Sequence, residues 1–340
     1  MKTLFHSNPI LSFILITFLI TFSFWFLPVL IPLSKDVALG TMLIGGCGPL
    51  LAGYIITVVN SKAKFIIGSK PIFILIFFSA SIVLVLRLYL TNKGLSDVNG
   101  YMPTLSEVTP IGYLLFAVAF FILGLNASNA TNDKLKENYL KSFLFEKSKL
   151  KWYLIGLSLF PFVALVSYYF GKIFGAETTD SLVNLAVIWL VGFFSTFFFF
   201  GGNEEFGWRG FFQKEMQKKY NPLITVFIIS FLWSLWHLPL HYSGFYSTGG
   251  FIDLLPRFIF TIPLTIVITW LYNKSSYSIL TVVLFHAMLN NYAKAIGSSE
   301  IISIILLILL SIFCIVDDKM WKKKSYHFVY KKEEIENASS

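Results

Sequence analysis

PILSFILITFLITFSFWFLPVLIPL (9–33) carries no charged side chain, and its length decides what kind of chain this is. A helix needs about 20 predominantly apolar residues to cross the hydrocarbon of a bilayer. A secretory leader is the alternative, because Lys2 precedes the run. Such a leader has an apolar core of only about 7–15 residues and ends at a small-residue cleavage site. This run is longer and leaves through LPVLIPLSKD, so it reads as a retained anchor.

Working outward, PIFILIFFSASIVLVLRLYL (71–90) and IISIILLILLSIFCIV (301–316) repeat the pattern. Over all 340 residues, 56% are hydrophobic and 13% charged, with a mean hydropathy of +0.72. Soluble domains carry about a quarter charged residues, so a soluble globule is excluded. Apolar segments are expected near 9–33, 38–59, 71–90, 111–127, 152–171, 183–202, 222–240, 255–272, 277–296 and 300–316. The expected fold is an all-α, polytopic membrane protein of about ten helical segments.

The net charge of +9 has a topological reading rather than a nucleic-acid one. With the N-terminus cytoplasmic, only Lys35, Arg87, Lys93, Lys172, Arg257 and Lys294 among the 27 Lys and Arg fall outside. All the other basic residues fall inside, as the positive-inside rule requires. Both termini are then cytoplasmic, and the expected location is the cell (plasma) membrane. The tail KKKSYHFVYKKEEIENASS reads as a disordered segment drawn to anionic lipid, and the loop 128–150 as an amphipathic helix lying on the inner surface. Cys47 and Cys314 fall inside apolar runs and imply neither a disulfide nor a thiolate metal site. GGCGPLLAG (45–53) lacks the Lys-Ser/Thr ending of a phosphate loop and reads as a kink and packing surface.

Ionisable groups in hydrocarbon are costly and mark cavities, partners or substrate paths. The candidates are Glu204, Glu205 and Arg209 in FFFFGGNEEFGWRGFFQ, His237 in FLWSLWHLPLH, and His286 with Asn290 in VVLFHAMLNN. Glu205 and Arg209 stand four apart, acid first, the favourable order for a helical ion pair. Glu204 points about 100° away and has no basic residue at that spacing. His286 and Asn290 share a face. At about 1.5 Å per residue from the nearest basic turn, Glu204, His237, His286 and Asn290 lie about 18–24 Å deep, so one intramembrane site is possible. It requires the sixth helix to continue to about residue 217.

An apolar environment makes a carboxylate a stronger base, and an imidazole beside it makes a water-activating pair. A second histidine and an amide opposite would hold the oxyanion that forms when water attacks a carbonyl. That equipment suits hydrolysis of a peptide bond.

The three motifs, in order and on separate helices, resemble the CPBP (CAAX protease and bacteriocin-processing, or Abi) family of intramembrane proteases. The resemblance implies an all-helical membrane endopeptidase. In it Glu204 and His237 activate water, His286 and Asn290 stabilise the oxyanion, and Glu205 with Arg209 supports them. The implied organisation is membrane helices over 1–182, a protease core over 183–296, a last membrane helix over 297–316 and a cytoplasmic basic tail over 317–340. The implied partners are membrane lipid and a membrane-associated peptide or lipidated-protein tail, with no nucleic acid. The second motif of the family is usually F-x-x-x-H; here Trp233 stands in the Phe position, which bears on pocket shape and hence substrate.

No cofactor is expected, with one alternative: Glu204, His237 and His286 could complete a three-ligand zinc site with an open water position. Asn290, one turn from His286, suits an oxyanion role better than a ligand role. Two other classes fit the same residues. A proton-coupled transporter would also bury Glu, His and Arg, but paired broken segments in two matching halves are not seen. A non-catalytic peptide-binding or immunity protein of the same fold would not need the intact polar set.

Overall fold

Asn, Ser or Thr followed by Pro starts several of the helices. Asn8 accepts a hydrogen bond from the Leu11 amide, Thr109 from Gly112 and Asn221 from Ile224, each with proline in the first turn behind it. The cap satisfies an orphan amide and proline gives up none that the helix needs. The computed structural model describes residues 2–95, 102–135, 138–175, 186–246, 248–292 and 300–323. Among these residues all regular structure is helical.

The principal helices are α1 (Pro9–Trp25), α2 (Lys35–Gly46), α3 (Gly48–Asn60), α4 (Lys70–Asn92), α5 (Pro110–Ser128), α6 (Leu150–Ile173), α7 (Ala186–Phe198), α8 (Pro222–Trp236), α9 (Leu254–Lys274), α10 (Ile279–Tyr292) and α11 (Glu300–Asp317). Each of the expected apolar segments meets one of these helices or a pair of them. Five spans are long and apolar enough to cross a membrane, and up to six if α2 and α3, bent by 42°, count as one. The bend falls inside GGCGPLLAG. The apolar helices Pro9–Trp25, Pro222–Trp236, Ile279–Asn291 and Ile302–Asp317 are shorter, at 10–17 residues. The protein is thus an all-α, multi-pass membrane protein.

Between α7 and α8 lies the site helix, 202–219. The apolar run does continue, to Lys219, but not as one regular helix. It breaks after α7 and restarts at Gly202–Glu205, widens into a π-helix over Phe206–Gln213 and narrows again over Lys214–Lys219. Gly201, at the break, has φ 144°, a conformation that a side chain would strain. The site helix packs on α3, α8 and α10. At Gly207 a Cβ would stand 2.3 Å from the Pro49 carbonyl, so glycine is what lets α3 approach this closely.

The described part of 128–150 is not a surface amphipathic helix. It is three short 3-10 turns, and Tyr139 and Leu140 are buried among the helices. Polar side chains of this stretch bind inward instead: Asn129 Nδ2 donates to the Tyr54 hydroxyl (3.1 Å) and the Ile66 carbonyl (2.9 Å). The tail beyond residue 323 lies outside the described residues.

The basic turns gather at one end. Asn221 Nδ2 donates to the Trp321 carbonyl (3.2 Å), and Lys274 Nζ meets Asp317 Oδ2 at 2.8 Å. His6, Asn60, Lys214 and Lys218 line a cavity of about 320 Å³ at that end. Opposite, Asp36 at the start of α2 receives the amide and hydroxyl of Thr109 at 2.8 and 2.6 Å.

Candidate active site

The site helix presents Glu205, Arg209 and Gln213 to the interior at successive turns, all 0% exposed. Arg209 Nε lies 3.4 Å from Glu205 Oε2. The pairing read from their spacing is therefore present, as an ion pair rather than a tight hydrogen bond. Glu205 also does something the spacing did not suggest: its Oε1 receives His286 Nδ1 at 2.6 Å. Glu205 thus stands between a guanidinium and an imidazole, and the three side chains form one buried polar chain.

Glu204, on the neighbouring face, is also buried. Its Oε2 accepts the indole hydrogen of Trp233 at 2.8 Å. Trp233 lies on α8, one turn before His237, and its own carbonyl meets His237 Nδ1 at 2.6 Å. A carbonyl oxygen only accepts, so Nδ1 carries the hydrogen and Nε2 of the neutral ring offers a lone pair. The same indole meets the His286 ring edge-on, 5.6 Å between centroids, and lies 4.7 Å from the Arg209 guanidinium carbon. Glu204, His237 and His286, from three separate helical segments, therefore converge on Trp233.

His286 comes from α10. With Nδ1 on the Glu205 carboxylate, its Nε2 faces Gly201, where a Cβ would stand only 2.6 Å away. Glycine at 201 therefore serves both the backbone turn and the room for this imidazole. Asn290, one turn on, donates from Nδ2 to the Phe200 carbonyl at 2.8 Å, on the same break in the chain. A carboxamide has two such hydrogens, so one remains for another acceptor. Around His237 the wall is aromatic: Trp236 at 4.7 Å, Tyr246 at 5.7 Å and Trp25 at 6.1 Å between ring centroids.

His241, which the sequence leaves at a helix end, is buried and sits 3.5 Å from Asp253 Oδ2. Trp233 and Gly201 were not singled out for the site from sequence. Trp233 was visible only as a departure from a motif, and Gly201 only as one of several glycines.

The zinc alternative asks whether Glu204, His237 and His286 could share an ion. Among the described residues no group of three or more His, Cys, Asp or Glu is arranged to hold a metal. One oxygen of Glu204 is taken by Trp233 and one nitrogen of each histidine by Glu205 or a carbonyl. Each of the three keeps one donor over, Oε1 of Glu204 and Nε2 of each histidine.

Residues 184–292 match the family model described as Type II CAAX prenyl endopeptidase Rce1-like. Among curated proteins, the chain is similar to CAAX prenyl protease 2 of Methanococcus maripaludis. The two are 25% identical over 275 residues, 73% of this chain and 96% of that protein. The matched region contains Glu204, Glu205, Arg209, Trp233, His237, His286 and Asn290. This likeness supports an intramembrane endopeptidase in general.

Proposed function

We propose that this chain is an intramembrane protease of the CPBP (CAAX protease) family, a reading that its likeness to CAAX prenyl endopeptidases supports, and that it hydrolyses a peptide bond by water activated at Glu204 and His237. The substrate is a membrane-associated peptide or lipidated-protein tail. The observation that carries this reading is the convergence of Glu204, His237 and His286 on Trp233, beside the aromatic rings packed around His237.

Water lies between Glu204 and the lone pair on His237 Nε2. As its oxygen attacks the carbonyl carbon, Glu204 takes the proton. The C=O double bond opens to a tetrahedral oxyanion. His286, held through Nδ1 on the Glu205 carboxylate, donates from Nε2 to that oxyanion when both ring nitrogens carry hydrogen, with the remaining amide hydrogen of Asn290 beside it. The intermediate collapses, the C–N bond breaks, and the proton held by Glu204 passes to the departing amine. Carbonyl carbon and water oxygen remain as the new carboxyl group, so the atoms balance without a metal.

Arg209 never meets substrate in this scheme. Its guanidinium, buried against Glu205 and the face of Trp233, holds the Glu205 carboxylate where it meets His286. The experiment compares wild type with Glu204→Ala, His237→Ala and His286→Ala on peptides in native membranes, reading new peptide termini by mass spectrometry with and without EDTA. Cleavage disappears in each variant, which is expected to fold, and persists in chelator. Undiminished cleavage by Glu204→Ala would sink the role of Glu204, and loss of wild-type cleavage in EDTA would restore the metal alternative.

A further inference from the structure

Glu204 is held by a single contact: its Oε2 receives the Trp233 indole hydrogen at 2.8 Å, and Oε1 has no hydrogen-bond partner among the described residues. Trp233 is 4% exposed, so its N–H has no water to turn to and needs this partner. The bond fixes the rotation of the carboxylate. With one oxygen pinned to the indole, the other is aimed away from it, the arrangement a base needs to receive a proton from a water at a defined place. A phenyl ring would fill part of the same space, but it could not make this bond.

We propose that Trp233 is a positioning residue for the hydrolysis, its indole N–H orienting the Glu204 carboxylate towards water while its backbone carbonyl fixes the hydrogen of His237 on Nδ1. This deepens the proposed function and rests on the role given there to Glu204. The two halves of the proposal separate experimentally, because a substitution at 233 removes the indole and keeps the carbonyl. His237 retains its partner at 2.6 Å, so what changes is the hold on Glu204.

The test is Trp233→Phe beside wild type and Glu204→Gln, as full-length protein in lipid nanodiscs. The probe is an internally quenched peptide ending in a farnesylated cysteine tail, with kcat and KM measured separately and fold checked by thermal unfolding and by binding of the same peptide. Trp233→Phe is expected to bind the probe as wild type does, to keep its KM, and to lose about 10- to 100-fold in kcat. Unchanged kcat would overturn the proposal, as would a raised KM with kcat intact, which would make Trp233 a wall of the substrate pocket. If Trp233→Phe is destabilised, Trp233→Tyr replaces it under the same criteria. Full activity of Glu204→Gln would bring down the parent reading, whereas an inactive Glu204→Gln with a fully active Trp233→Phe overturns the positioning role alone.

Discussion

Two adjacent buried carboxylates have different partners. Glu205 lies between Arg209 at 3.4 Å and His286 at 2.6 Å. Replacing it with Gln leaves a fully buried guanidinium without a counter-charge, a loss that costs about 3–5 kcal/mol. Glu204 makes its one hydrogen bond to a neutral indole, so Glu204→Gln keeps shape and the hydrogen bond and changes stability by less than about 1 kcal/mol. Thermal unfolding of the two variants checks this: Glu205→Gln falls well below wild type while Glu204→Gln stays near it. Equal losses would show that the ion pair does not hold the site helix. The pairing of Glu205 with Arg209 was legible in the sequence from their four-residue spacing. The bond from Glu205 to His286 was not, because it joins residues 81 apart and no local pattern points across that gap. Nor was the role of Trp233, which depends on the orientation of a ring and not on its apolar character.

At the scale of helices, glycine decides how closely the site helix seats. A Cβ at Gly207 would stand 2.3 Å from the Pro49 carbonyl, which is backbone and cannot rotate away. At Gly46, the nearest atom to a built Cβ is the Asn203 amide nitrogen at 3.6 Å, an ordinary contact. Gly207→Ala therefore pushes α3 from the site helix and costs about 1–3 kcal/mol, the usual range for overpacking. Gly46→Ala stays within about 1 kcal/mol of wild type, since alanine also favours the helix. Chemical unfolding in detergent reads both. A similar loss from the two would mean that glycine here serves flexibility and not close approach. Run length and hydropathy were enough to find the helical segments, because crossing a bilayer imposes a length on the sequence. They did not reveal the break at Gly201 or the π-helix after it, which answer to neighbours on α3 and α10. Nor did they reveal that 128–150 folds inward, since its Lys residues mask a Tyr139–Leu140 pair that packs on the core.

For the whole molecule, the apolar exterior and the placement of charge make one argument. Leu19, Ile82, Leu114 and Phe162 are each more than half exposed on long helices, which is tolerable only against lipid. Lys64 and Lys219 are exposed towards one end, with the turns that join Asn221 to Trp321 and Lys274 to Asp317. Lys35 and Lys93 are exposed towards the other, beyond the far ends of α1 and α4. The positive-inside rule assigns the first end to the cytoplasm. Single cysteines at these four positions test it. The native thiols stay silent without being removed, because Cys47 and Cys314 are 1% and 0% exposed. A membrane-impermeant maleimide added to intact cells is expected to label Lys35→Cys and Lys93→Cys at once, and Lys64→Cys and Lys219→Cys only after permeabilisation. Labelling in the reverse order would invert the orientation.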